Sequence, residues 1–379
     1  MKKHLLVVLA ILLYCVPLSI SAKPGISFSL NGIKTNSDIA YGLPIPSGAD
    51  FSLEMPLREG KNSLTFRAAA GYESRMILRN AATSFPISAP ARIDALNRFF
   101  CTNSLAELGF RHYMLKYENE LAWIFAIIRG RYEKNATSFP TTLFSDAQSD
   151  ESVSAVGGIA YDTTRWSEPN RKNGTYGEFS FEYSPTFAHF SGNPTEFARV
   201  NLTAETFIPL SPETRTLRNP SHIAPYLVLY GMGDYLAGSS IPHEALTSFG
   251  GLFGNDGIGD MVRGSQPWGY EATTKAYASA ELRVAGASFK ENLLVYPVGY
   301  LFADIAGYAS LYGSPLSPSF ADNAGVFAST GGGVSISMLN FLWLGAYSGW
   351  RWSIRDPLAS IYYPSPQGFF WSFTFVAHY

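Results

Sequence analysis

Few side chains in this sequence could do chemistry, and one arginine stands out by its setting. Arg263 lies in a glycine-rich segment that holds Gly250, Gly251, Gly254, Gly257, Gly259 and Gly264. Such a backbone can turn tightly and pass close to a wall. The guanidinium is a rigid fork suited to carboxylates, and the sequence supplies one on a definable face. Over residues 276–284, Tyr277, Ser279, Glu281 and Arg283 alternate with Ala276, Ala278, Ala280, Leu282 and Val284, so Glu281 belongs to a polar face. A hydrolase needs Ser and His with an orienting group, yet none of His112, His189, His222, His243 and His378 sits in a Gly-x-Ser-x-Gly motif. Two cysteines, Cys15 and Cys101, exclude a disulfide framework and a Cys-rich metal site. No His, Cys, Asp and Glu cluster has ligand spacing. The sequence is therefore read as that of no enzyme, with no catalytic residue, no metal and no cofactor.

The elements that must position Arg263 and Glu281 are strands, because apolar and polar residues alternate with period two along much of the chain. In 62–73, Leu64, Phe66, Ala68, Ala70 and Tyr72 share one face, and Ser63, Thr65, Arg67 and Glu73 the other. In 178–183, Phe179, Phe181 and Tyr183 oppose Glu178, Ser180 and Glu182. In 200–205, Val200, Leu202 and Ala204 oppose Asn201, Thr203 and Glu205. Turn formers separate such stretches, as in 167–174 and 363–368. Helical periodicity is hardly visible.

Composition narrows the class. Of 379 residues 15% are charged, well below the roughly 25% of soluble domains. The 27 Phe, 22 Tyr and 7 Trp exclude disorder. A net charge of -2 without any basic run leaves no footprint for nucleic acid. Residues 1–22 read as a signal peptide: Lys2 and Lys3, an apolar run from Leu5 to Val16, and a small-residue exit ending at Ala22. Pro17 ends that run before a spanning helix is complete, and the neighbours of Cys15 are wrong for lipid attachment. The longest later apolar run, 121–128, is too short to cross a bilayer as a helix.

An exported chain of alternating strands is either a secreted sandwich or a membrane barrel. The stretch 369–379 favours the barrel. There Trp371, Phe373, Phe375, Ala377 and Tyr379 alternate with Phe370, Ser372, Thr374, Val376 and His378. In a soluble protein a strand this aromatic would be an adhesive edge. In a barrel Trp371, Phe373, Phe375 and Tyr379 are expected to form the terminal signal for insertion.

Within that class the residues Tyr161-Asp162-Thr163-Thr164-Arg165, Pro169 and Gly174-Thr175-Tyr176 resemble the Asp-Thr-Arg-Asp...Pro-x-x-Gly hairpin of the Omp85 superfamily, the surface antigen D15 or BamA-like barrels. Pro242 with Phe249-Gly250-Gly251 resembles the approach to that family's inward-folded loop, and Val262-Arg263-Gly264 its Val-Arg-Gly-aromatic tip, with Ser265 in place of the aromatic. Ala280-Glu281-Leu282-Arg283, the stretch 301–307 around Asp304, and Gly331-Gly332-Gly333-Val334 follow in the family's order. The resemblance covers 160–379. It implies that the loop enters the lumen and that its Arg meets acidic strand residues, so Arg263, Gly264, Glu281 and Asp304 form a loop latch.

The fold expected is all-β, a transmembrane antiparallel barrel over 23–379, with sixteen strands as the resemblance implies. Ten are placed at 153–163, 174–185, 197–209, 223–236, 243–252, 273–285, 292–306, 327–338, 341–353 and 369–379. Five or six more fit before these, near 26–34, 50–57, 62–76, 105–117, 119–132 and 140–146. Residues 23–49 cannot hold a POTRA domain, so the chain reads as a member consisting of the barrel alone. Three functions stay open: help in inserting outer-membrane proteins or translocating polypeptides, a passive or gated small-solute pore, and a structural surface antigen. The location expected is the bacterial outer membrane after Sec export. The partners expected are its lipid and lipopolysaccharide, the barrel insertion machinery and a separate periplasmic accessory protein, with no nucleic acid.

Overall fold

The structure is a computed structural model. It describes residues 25–32, 35–36, 46–57, 60–76, 98–118, 120–135, 149–168, 170–188, 195–211, 223–250, 261–265, 270, 272–287, 295–309, 324–338, 342–356 and 367–378.

The strands are β1 (Gly25–Gly32), β2 (Thr35–Asn36), β3 (Pro46–Pro56), β4 (Asn62–Met76), β5 (Arg98–Tyr117), β6 (Glu120–Asn135), β7 (Ser149–Asp162) and β8 (Arg165–Glu168). They continue as β9 (Arg171–Ser184), β10 (Glu196–Pro209), β11 (Ala224–Ser240), β12 (Thr274–Ala285), β13 (Val295–Ala309), β14 (Ala324–Met338), β15 (Leu342–Arg355) and β16 (Gly368–His378). One short helix, α1 (His243–Thr247), lies between β11 and β12. Consecutive long strands pair antiparallel throughout, with β7 pairing β9. No helix among the described residues is long and apolar enough to cross a membrane.

Alternation along these strands produces a burial pattern opposite to that of a water-soluble sheet. On β9, Glu178, Ser180 and Glu182 are buried while Phe179, Phe181 and Tyr183 are exposed. On β12, Lys275, Tyr277, Ser279 and Glu281 are buried and Leu282 exposed. Trp350, Trp352, Phe369, Trp371 and Phe373 extend the exposed aromatic face over β15 and β16. Buried charges need partners, and the inner face supplies them in a string. Arg67 pairs with Asp50 at 2.5 Å and approaches Glu107 at 3.9 Å; Arg129 joins Glu107 at 2.5 Å to Glu182 at 3.1 Å. Arg131 then links Glu182 at 3.1 Å to Glu244 of α1 at 3.6 Å.

The sixteen-stranded closed barrel expected from the sequence is corrected. The wall consists of fourteen long strands, from β1 and β3 through β7, then β9 through β16. One sequence assignment falls out, and another, 140–146, lies outside the described residues. Residues 243–252 begin as α1, and β11 pairs directly with β12. Nor do the two edges close the sheet by a full ladder. β1 meets β16 over three pairs, Ser29 with His378, Leu30 with Ala377 and Asn31 with Val376. Ser372 and Phe373 of β16 pair instead with β2. Neighbouring wall strands elsewhere share eight pairs or more, as β1 does with β3. The sheet is therefore curled, with its edges touching at a short seam.

Its two ends differ. One carries tight connections, such as the two residues between Tyr117 and Glu120, and it is also where β1 begins and β16 finishes. At the other end lie the longer connections, including that between Ser240 and Thr274.

Candidate functional site

The connection from β11 to β12 turns inward. Phe249, Val262, Tyr270 and Ala272 from this loop are buried in one cluster with Met232, Tyr277, Ala306, Tyr308 and Phe327 of the wall. Two polar anchors hold the loop beside that apolar contact.

The first anchor is centred on Arg263. Its Nε donates to Asp304 Oδ2 at 2.8 Å, and its Nη2 to Asp304 Oδ1 at 3.0 Å and Glu281 Oε1 at 2.5 Å. The backbone N–H of Arg263 adds a bond to Asp304 Oδ2 at 3.2 Å. Alternation explains the geometry: Glu281 on β12 and Asp304 on β13 both face inward, and Ser279 of β12, directly opposite Asp304 in register, donates to its Oδ1 at 2.7 Å. The guanidinium also lies 3.9 Å from the ring centre of Phe302, a cation–π contact in a water-poor setting. Arg283 supports Glu281 from the same strand at 2.5 Å.

Gly264 fixes the next turn. Its φ is +80°, a region that side-chain-bearing residues avoid, and a Cβ there would come within 2.3 Å of the Phe370 ring. Its carbonyl accepts from Arg351 Nη1 at 2.8 Å. The structure therefore brings together all four residues expected at the tip: Arg263, Gly264, Glu281 and Asp304. Ser265, where an aromatic was expected from the family pattern, is buried. Phe302 and Phe370 of the wall supply the aromatic contacts at the tip.

The second anchor was not foreseen. Arg199 on β10 donates from Nε to Asp234 Oδ2 on β11 at 2.9 Å, and from Nη2 to the carbonyl of Ser248 at 2.5 Å. Asp234 Oδ2 also accepts the Gly250 N–H at 2.9 Å. Lys275 reaches the carbonyls of Ala245 at 2.9 Å, Leu246 at 3.2 Å and Ser248. A cation among the last carbonyls of a helix satisfies groups that have no helical partner, which helps to hold this five-residue helix. The available signal was parity: Arg199, Asp234 and Lys275 occupy inward positions on the adjacent strands β10, β11 and β12.

Other sequence candidates are dispersed. His112 pairs through Nδ1 with Asn62 Oδ1 at 2.8 Å on the wall. His189 and His222 lie outside the described residues, as do Tyr379 and the side chain of Phe375, so only Trp371 and Phe373 of the terminal set are seen, both exposed. Among the described residues no group of three or more His, Cys, Asp or Glu could hold a metal ion.

No protein-family model matches the chain, and no curated protein matches it by sequence. Solved structures match it in fold. BamA from Haemophilus ducreyi lacking POTRA domains 1–3 aligns with a TM-score of 0.52 at 14% identity, over 95% of this chain and 71% of that one. CdiB from Escherichia coli aligns with a TM-score of 0.56 at 12% identity, over 95% and 64%. CdiB from Acinetobacter baumannii gives 0.51 at 11%, over 95% and 60%. The chain thus spans less than two thirds of either CdiB chain. At these identities the likeness is one of architecture: a curled antiparallel sheet of the kind seen in BamA and CdiB.

Proposed function

We propose that this protein resides in the bacterial outer membrane and assists the insertion or translocation of polypeptides there. The exposed aromatic face suits lipid, and strands of 14 residues, such as β9 and β10, exceed the roughly nine to eleven that a tilted strand needs to cross. The observation that carries the polypeptide reading is the seam. Three residue pairs join β1 to β16, so the wall is weakest where its first and last strands meet, and an extended chain can pair with a strand edge that opens. The inner face is polar, as a small-solute pore would require. The loop anchored at Arg263 and Asp234 occupies that interior, however, which favours polypeptide handling over free permeation. Lipopolysaccharide, the insertion machinery that reads the terminal strand and a separate periplasmic accessory protein are the partners this reading implies.

Depletion followed by quantitative proteomics of outer-membrane fractions tests it. A fall in the abundance of other strand-built membrane proteins is expected. Unchanged levels after full depletion would sink the assembly role and leave a gated pore.

A further inference from the structure

The hairpin between β7 and β9 does something that neither the latch nor the seam uses. Strand β8 lies off the path of the sheet and pairs only with β9, through Arg165 with Asn173, Trp166 with Lys172 and Glu168 with Arg171. It stands at the end with the tight connections.

The contacts of this hairpin reach across that mouth. Asn170 Nδ2 donates to the carbonyls of Gly286 at 3.0 Å and Pro297 at 2.9 Å, at the facing ends of β12 and β13. The inward Tyr226 of β11 donates to the Asn170 carbonyl at 3.3 Å, and Arg171 Nη2 donates to the carbonyl of Ser211 at 3.0 Å. Farthest away, the Trp166 ring meets Trp343 on β15 with centroids 6.2 Å apart. Trp343 shares the inward parity of Tyr347 and Arg351, opposite the exposed Trp350 and Trp352. Along the sheet, five strands separate β9 from β15 one way and seven the other way through the seam, so the hairpin bridges nearly opposite sides of the wall. Asn170 and Arg171 are almost fully buried beneath it, and Ala285, Tyr226 and Phe207 form a buried cluster on the wall beside them.

We propose that the segments Thr163–Glu168 and Asn170–Asn173 form a strap that closes the tight-turn mouth of the interior and opens by releasing Asn170 from the Gly286 and Pro297 carbonyls and Trp166 from Trp343. The interior then has two closures in series, the strap at one end and the anchored loop at the other. This holds for a polypeptide or a solute passenger alike, so it stands apart from the assembly role.

Thiol access reads it directly. In the full chain with Cys15 and Cys101 replaced by Ser, Ala285→Cys places one thiol beneath the strap, and its reaction with a maleimide is timed in detergent. Slow labelling is expected in that parent, accelerated about tenfold by Asn170→Ala or Trp166→Ala, the shift that loss of one or two hydrogen bonds or a ring pair produces. Trp166→Ala removes a half-exposed ring and no buried group, so it carries the test should Asn170→Ala fail to fold. Labelling that is already as fast as for an exposed thiol, or that Trp166→Ala leaves unchanged, would overturn the strap.

Discussion

Arg263 is the residue on which the inward loop depends most, because its removal leaves the buried Asp304 without its cation, whereas Glu281 keeps Arg283. The Asp304 side chain is fully buried and Glu281 nearly so, and breaking a buried pair by removing one partner costs about 3–5 kcal/mol. Arg263→Ala is therefore expected to lower unfolding stability in detergent by that order, read from denaturant titration of the intact chain. An unaltered midpoint would mean that the loop does not rest on this pair. Half of the pairing was legible beforehand: period-two parity assigns Glu281 to the polar face, whereas Asp304 came from the family pattern alone. Arg199, Asp234 and Lys275 were not read as a unit, because the contacts joining them span 35 and 41 residues of sequence and converge only once β10, β11 and β12 lie side by side.

Strands were the most legible elements, since a face repeating every second residue needs no distant information. Fourteen of the sixteen stretches assigned by alternation coincide with wall strands. The stretch 243–252 misled because Ala245, Leu246 and Phe249 are apolar without being outward; they are buried against the inside of the wall. β8 escaped because four residues are too few to display a period, and its position is set by Trp343 and by carbonyls more than 110 residues away. The seam yields a prediction at this level. Leu30→Cys with Ala377→Cys, which face each other in register, should form a disulfide under oxidation. A locked seam should abolish activity in a proteoliposome insertion assay, and reduction should restore it. Full activity in the oxidised form would exclude opening between β1 and β16.

Over the whole molecule, the low charge and high aromatic content acquire a location. Aromatics cover the outer face, and the charges are gathered inside as a string of ion pairs from Asp50 to Glu244. Such a molecule gains little from water as a folding solvent, because most of the surface that the hydrophobic effect would hide is its outside. Refolding from urea is therefore expected only when micelles or vesicles are supplied, scored by a heat-dependent shift in gel mobility. Compact, shifted protein in plain buffer would contradict the outward assignment of Phe179, Phe181, Trp350 and Trp371.

The inverted burial pattern also bears on the journey before the membrane is reached. Collapse in an aqueous compartment would bring the aromatic faces of successive strands together and turn Arg129, Glu182 and Asp304 outward, giving a globule that is the native sheet turned inside out. Such a globule would satisfy water and have no cheap route to the native arrangement, since every strand would have to reverse its facing. For the outer-membrane location proposed above, the chain would therefore have to be kept extended until lipid is at hand, which is work for a holding chaperone.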